Sequence, residues 1–336
     1  MTRRELARAR ASLQAEVRAF FTERGYEEVE TPCLVPAPGM EPHLDAFHAP
    51  FVPERGGSPR SLWLHTSPEY AMKRLLAEGF PRIFQLARVF RNGEVSATHN
   101  PEFTMLEFYR AGAGHEAIMQ ELEALVDRAA RALTGGTRVA AMGGALELAA
   151  PYERVPVADL FARHAGVDLA GCGGDAVRLR AAMLAGGLDP GQPDDGFDDL
   201  FFRVFLERVE PALAAGGRPV YAVDWPASMA ALARLKASDP RVAERFELYA
   251  GGLELANGFS ELTDAAEQRR RLEAEQALRQ RLGRPAYPLD ERFLDAVGRM
   301  PQAGGVAVGL DRLLMLLVGA RSIEEVLLFP ASGFLS

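Results

Sequence analysis

The chain has 336 residues, 48% of them hydrophobic and 25% charged, an ordinary globular mixture that excludes a disordered chain. Its net charge of −8 argues against a broad, sequence-independent nucleic-acid binder, which needs an excess of Lys and Arg to neutralise phosphates. The length fits two domains of about 150 residues or one large α/β domain, the distant pair Cys33 and Cys172 indicates neither a disulfide framework nor a zinc site and fits a reduced, cytoplasmic compartment, and no apolar run reaches the roughly 18 residues of a membrane span.

Leu6, Leu13, Val17, Phe20 and Phe21 recur at helical spacing, predicting an amphipathic helix over 4–24 that Gly25 stops. Glu5 and Glu16 in this Arg-rich start argue against a targeting peptide. Tyr26 to Glu30 alternates toward a strand, broken at Thr31-Pro32. Residues 36–60 carry six prolines and several glycines and read as a loop. Leu62 to Leu64 reads as a short strand. Ser67-Pro68-Glu69 reads as a helix start, with Ser as N-cap and Pro at the first helical position, the helix running to about Glu78. Ile83 to Arg91 and Phe103 to Arg110 are strands around a polar hairpin loop, Asn92 to Pro101, and Glu116 to Leu133 is a helix. Residues 134–215, rich in Ala, Gly and Asp, are expected to be a helical insertion. Val220–Trp225, Phe246–Ala250 and Leu253–Asn257 are strand candidates, Asp264–Leu282 is a charged helix, and Gly304–Gly309 leads into a helix over Leu310–Val318. Strands separated by long insertions, with hairpins, predict an α+β fold with an antiparallel sheet flanked by helices.

Four groups of residues carry candidate chemistry. In Val89-Phe90-Arg91-Asn92-Gly93-Glu94 and His99-Asn100-Pro101-Glu102-Phe103, an Arg ends an apolar strand, where a planar guanidinium suits a phosphate; the bland alternative is a surface hairpin with a salt bridge. Glu254 and Glu261, with Asn257 between them, suit Mg2+ beside nucleotide phosphates, or are two solvated acids. Gly304 to Leu313 allows close approach of a nucleotide, with Arg312 on a first helical turn, or is a packing turn with Asp311 as a cap; it has neither P-loop nor Rossmann spacing. Glu69, Glu107 and Tyr109 form an acidic pocket for an ammonium-bearing substrate if the sheet brings them together, and are otherwise surface groups. His65 and His99 read as structural or solvent-facing, and Trp63, Phe84 and Phe90 as core.

These segments together carry a resemblance. Gly25 to Pro32 resembles motif 1 of a class II aminoacyl-tRNA synthetase, Phe90 through Glu107 motif 2, and Gly305 through Arg312 motif 3. Thr66-Ser67-Pro68-Glu69, His99 to Glu107 and Asn257-Gly258-Phe259-Ser260-Glu261-Leu262 resemble the lysyl-specific subgroup. The motif 1 helix begins at the N-terminus, with no anticodon-binding OB domain expected ahead of it. The chain therefore resembles the freestanding lysyl-tRNA synthetase paralogues that modify elongation factor P (EpmA, PoxA or GenX). Ala307, where tRNA-charging relatives usually have Gly, and Tyr221 to Ala233 agree with that family.

The resemblance implies a single catalytic domain, 1–336, acting as a homodimer. It implies activation of lysine, preferably (R)-β-lysine, with ATP and Mg2+, and transfer to a lysine side chain of elongation factor P, with no tRNA. Arg91 would hold the α-phosphate and Arg312 the γ-phosphate as catalytic residues. Asn92, Gly93, Glu94, Asn100, Phe103, Glu254, Leu255 and Gly309 would complete the ATP site. Ser67, Pro68, Glu69, Glu107, Tyr109, Glu261 and Ala307 would surround the amino acid, and Glu254 and Glu261 would bind Mg2+. One departure is notable: the family motif 2 reads Arg-Asn-Glu, and here Gly93 takes the Glu position, followed by Glu94. Two rivals are aminoacylation of tRNA or a small molecule by the same core, and an inactive regulatory paralogue; retention of Arg91, Glu254, Glu261 and Arg312 speaks against the latter.

Overall fold

The computed structural model describes residues 1–141 and 144–335. It begins with helix α1 (Arg3–Glu23), within a residue of the span that periodicity predicts. Thr2 and Glu5 form a capping box: the Thr2 hydroxyl accepts from the Glu5 N–H at 3.3 Å and the Glu5 carboxylate accepts from the Thr2 N–H at 2.8 Å. Then follow β1 (Glu27–Glu28), β2 (Leu34–Val35), β3 (His48–Phe51), β4 (Arg60–Leu64), α2 (Glu69–Ala77), β5 (Arg82–Phe90), β6 (Glu102–Ala111) and α3 (His115–Thr134). Strand β3 lies inside the segment expected to be a loop. It pairs antiparallel with β4 at the edge of a three-stranded sheet ordered β2-β4-β3, and an edge strand tolerates the Pro50 that made the segment read as broken.

Residues 134–215 are less uniformly helical than expected. They open with a hairpin, β7 (Arg138–Ala141) and β8 (Gly144–Glu147), and with β9 (Glu153–Pro156); residues 142 and 143 lie outside the described residues. Helices α4 (Val157–Ala165), α5 (Leu169–Cys172), α6 (Ala176–Ala185), α7 (Phe197–Val204) and α8 (Glu210–Ala214) follow, with one π-turn over Phe205–Val209. The chain continues through β10 (Val220–Pro226), β11 (Leu235–Lys236), β12 (Asp239–Ala250), β13 (Leu253–Ser260), α9 (Ala265–Arg281), α10 (Glu291–Val297), β14 (Ala303–Gly309), α11 (Leu310–Val318) and α12 (Ser332–Leu335).

The chain divides into two compact units. The first comprises 1–114, 261–315 and 320–336. Its main strands run in the order β1-β5-β6-β14, with β1 parallel to β5 and the other two pairings antiparallel. Phe21 of α1 stacks on Phe84 of β5 and leans on Phe108 of β6, with ring centroids 4.8 Å apart in both pairs. The second unit comprises 115–260 and 316–319. Its strands run β13-β12-β10-β9, with β9 parallel to β10 and β11 added on β12. Helices α4 and α7 and the π-turn bury Phe161, Phe201 and Phe205 against Trp225 of β10. Antiparallel pairing dominates both units, as the sequence pattern predicts. Both cysteines are free thiols, and among the described residues no helix is long and apolar enough to cross a membrane.

Candidate active site

Register places the first functional group. On β6, Glu107 lies opposite Gln85 of β5 and Ala307 of β14, and Tyr109 lies opposite Ile83 and Gly305. Side chains alternate along a strand, so residues two apart and their direct partners share one face. Glu107 and Tyr109 therefore stand beside Ala307 and Gly305. A Cβ on Gly305 would meet ring carbons of Tyr109 at 2.3 Å and Oε1 of Glu261 at 2.6 Å, so only glycine admits both groups there.

Helix α2 supplies the second face. It begins one residue later than expected, with Pro68 at the cap position. The Ser67 hydroxyl accepts from the Glu69 N–H at 3.0 Å and donates to Glu107 Oε1 at 2.6 Å. The Tyr109 hydroxyl donates to Glu107 Oε2 at 2.7 Å. Both oxygens of a buried carboxylate are thus held by neutral donors. Burial pushes the Glu107 carboxyl above the usual carboxylate range, and neighbouring Glu69 adds to this. The same causes act on Glu261: burial raises it, and Lys73 offsets part of the rise.

Lys73 is the residue that sequence reasoning missed. Its ammonium is buried, 2.6 Å from Glu69 Oε1 and 2.5 Å from Glu261 Oε2. The signal present in the sequence was the four-residue spacing from Glu69 along one helix, but an exposed Glu–Lys pair has the same spacing. Glu41 was missed as well. It lies in the proline-rich segment, and burial together with Glu69 raises its carboxyl while Arg91 lowers it. The structure brings Ser67, Glu69, Lys73, Glu107, Tyr109 and Glu261 into one cluster, with Ala307 opposite Glu107 in the register.

The candidate phosphate groups lie around the β5–β6 hairpin loop of the same unit. Arg91 follows β5, with its guanidinium 5.2 Å from the Phe103 ring centroid and 3.7 Å from Glu94. Gly93 adopts φ +86°, a left-handed turn that a glutamate takes only with strain. The next residue, Glu94, reaches Arg91. The Asn92 N–H donates to the Asp45 carbonyl at 2.7 Å. Asn100 is a clasp: its amide donates to the Glu102 carbonyl at 2.6 Å and accepts from the Ala331 N–H at 2.9 Å. Gly309 ends β14, and Arg312, one turn into α11, donates to the Thr98 carbonyl at 3.3 Å and lies 2.7 Å from His99 Nε2. His99 is thus tied to a candidate catalytic arginine rather than to bulk solvent. Asp311 pairs with Arg10 of α1 and accepts from the Thr104 N–H at 2.7 Å.

Glu254 and Leu255 lie on β13 of the second unit, whereas Glu261 belongs to the first. Leu255 is buried. Beside Glu254, Glu247 accepts from Arg245 at 2.6 Å and from Tyr249 at 2.5 Å, and its carboxyl is pushed up by burial and by Glu254. Asn257 accepts from Arg245 Nε at 3.3 Å. Among the described residues no group of three or more His, Cys, Asp or Glu side chains forms a ready metal cage.

The chain matches the family model for class II tRNA synthetases (D, K and N) over residues 2–333. Among curated proteins it is 41% identical over 322 residues to a Histophilus somni (strain 2336) protein named elongation factor P–(R)-beta-lysine ligase, covering 96% of this chain and 93% of the relative. A Salmonella paratyphi B protein of the same name is likewise 41% identical over 322 residues, covering 95% and 93%.

Proposed function

The chain belongs to the class II tRNA synthetases of the D, K and N group, and from that premise we propose that it activates a lysine isomer, (R)-β-lysine by preference, with ATP and transfers it to a lysine side chain of elongation factor P. The name that relatives of nearly equal length carry supports this acceptor and this substrate. The observation that carries the reading is the buried carboxylate of Glu107, clamped by Ser67 and Tyr109 in a pocket with Glu69 and Glu261. A buried set of acids with fewer cations than carboxylates is stabilised by a cationic ligand and poorly matched to a neutral one. We take residues 1–336 as one catalytic domain, acting as a homodimer in the cytoplasm, with the protein rather than tRNA as acceptor.

In the first step a carboxylate oxygen of the amino acid attacks the α-phosphorus in line and pyrophosphate leaves. In the second, the acceptor amine attacks the carbonyl carbon of the acyl-adenylate, loses a proton and expels AMP. No enzyme nucleophile is needed, so catalysis rests on position and charge. Arg91 is our candidate for the α-phosphate, its guanidinium set over the Phe103 ring, and Arg312 for the γ-phosphate, its guanidinium oriented by Thr98 and His99. Asn100 holds the hairpin loop in place for both.

Mg2+ takes hard oxygens, one or two carboxylates beside phosphate. Glu261 has Oε2 on Lys73 and Oε1 packed at Gly305, so we assign it to the amino acid. Glu254 fits an ion better, because a cation would relieve its repulsion with Glu247. An ion held by Glu254 would supply charge withdrawal to any phosphate oxygen that it bound.

The test is an intact-mass measurement on elongation factor P incubated with the chain, ATP and each lysine isomer. Addition of one lysyl mass, larger in yield with the β isomer, is the expected result. Unmodified elongation factor P alongside charged tRNA would overturn the acceptor.

A further inference from the structure

Lysine is almost never fully buried unless paired. Lys73 is 1% exposed and bridges Glu69 and Glu261, the two acids that the proposed function turns toward substrate. Burial works against its charge, yet the two carboxylates more than offset this, and the ammonium titrates above its ordinary value. It is a permanent cation at working pH. It faces Glu69 from its own helix, Glu261 from the segment after β13 and the Phe293 ring of α10 at 6.0 Å. Glu107 lies within the same field through its interactions with Glu69 and Lys73, and Glu41 through Glu69.

The bridge takes one oxygen from each of two acids. Oε1 of Glu261 is buried without a hydrogen-bond partner and points at the cradle that Gly305 leaves. Of the acids in this field, which also takes in Glu41 and Glu275 through Glu69, three interact with this cation, and Glu69, Glu107 and Glu261 less Lys73 leave two negative charges when all are ionised. A lysine isomer carries two ammonium groups. With no internal cation the third acid would take up a proton instead, because like charges in a dry site disfavour ionisation.

We infer that Lys73 is a positioning residue for the amino acid: it occupies the facing oxygens of Glu69 and Glu261, directs the substrate's ammonium groups to the remaining carboxylate oxygens, and matches the charge of the pocket to a diamino acid. This rests on the activation proposed above.

The experiment is exchange of labelled pyrophosphate into ATP with α-lysine and with β-lysine, on wild type, Lys73→Met and Lys73→Arg. In Lys73→Met the KM for the amino acid is expected to rise about tenfold or more while the ATP KM stays within about twofold. The acidic limb of kcat/KM for the amino acid moves up by about one to three units, because loss of the cation raises the acids it faced. Lys73→Arg keeps the charge and the fold, so its acidic limb stays near that of wild type. Its planar fork cannot replace a point charge between two carboxylates, and the amino-acid KM remains raised by about threefold or more. A wild-type amino-acid KM in Lys73→Arg, or in folded Lys73→Met, overturns the inference. Wild type that exchanges with neither isomer counts against activation itself. Calorimetric binding of each isomer without ATP then decides the role of Lys73: weaker binding by Lys73→Arg upholds it, and no difference from wild type overturns it.

Discussion

Asp311, the second residue of α11, is joined to Arg10 of α1 through an ion pair and to the β6 backbone through the Thr104 N–H. Its carboxylate is 1% exposed, and it stands next to Arg312. The residue thus pins the strand-to-helix junction that carries a candidate phosphate arginine. Removing one partner of a buried ion pair leaves the other uncompensated, at a cost of about 3–5 kcal/mol. Asp311→Ala is expected to lower the unfolding free energy measured in urea by that order, with a lower midpoint, and more than Arg10→Ala, since Arg10 is partly exposed and also donates to the Val326 carbonyl. Equal midpoints for wild type and Asp311→Ala would remove this pinning role.

Arg91→Ala and Arg312→Ala each delete a preorganised donor from the proposed phosphate site. Each is expected to slow ATP–pyrophosphate exchange by about 10²- to 10³-fold. Arg91→Lys should recover little, because an ammonium lacks the planar two-pronged contact. Near-normal exchange in either alanine variant would show that the guanidinium is not at the triphosphate.

Glu107→Gln keeps the shape of the clamp between Ser67 and Tyr109 and removes its charge. The amino-acid KM is expected to rise about 30-fold or more, the effect of truncating one side of a buried charge pair, with the ATP KM little changed. Comparable increases in both KM values would point to a collapsed pocket instead of a lost ammonium contact.

Burial raises Glu107 and Glu261 to about 8. In the unfolded chain these groups ionise near the ordinary value of 4.5. Between those two pH values the folded protein holds more protons than the unfolded one, so stability without substrate falls as pH rises through the window. Binding a diamino acid needs the ionised forms, so kcat/KM for the amino acid should climb with pH and level off above about 8. Calorimetry in buffers of differing ionisation enthalpy should detect proton release on binding near neutrality. Proton uptake would contradict the charge assignment.

Ala307 lies opposite Glu107 in the strand register, so its methyl group stands beside the carboxylate proposed to receive an ammonium group. Ala307→Gly is expected to shift the ratio of α-lysine to β-lysine activation toward α-lysine by about tenfold, the worth of roughly one methylene in a fitted pocket. An unchanged ratio would place isomer selection elsewhere.

Helix α1 was legible from residue spacing, because one face of it is buried at helical intervals. Strands β5, β6 and β14 were legible as short apolar runs between turn signals, because residues on both of their faces are buried. The family was equally legible, since its motifs are contiguous runs of sequence. Strand β3 and the β7–β8 hairpin were not: their proline, alanine and glycine content gives little local preference, and β3 is a strand because β4 pairs with it, β7 and β8 because they pair with each other. Nor could the sequence say that Lys73 is buried. Its spacing from Glu69 fits a solvated helix face as well as a sealed one, and only the approach of Glu261, nearly two hundred residues onward, turns that spacing into a buried ion triplet.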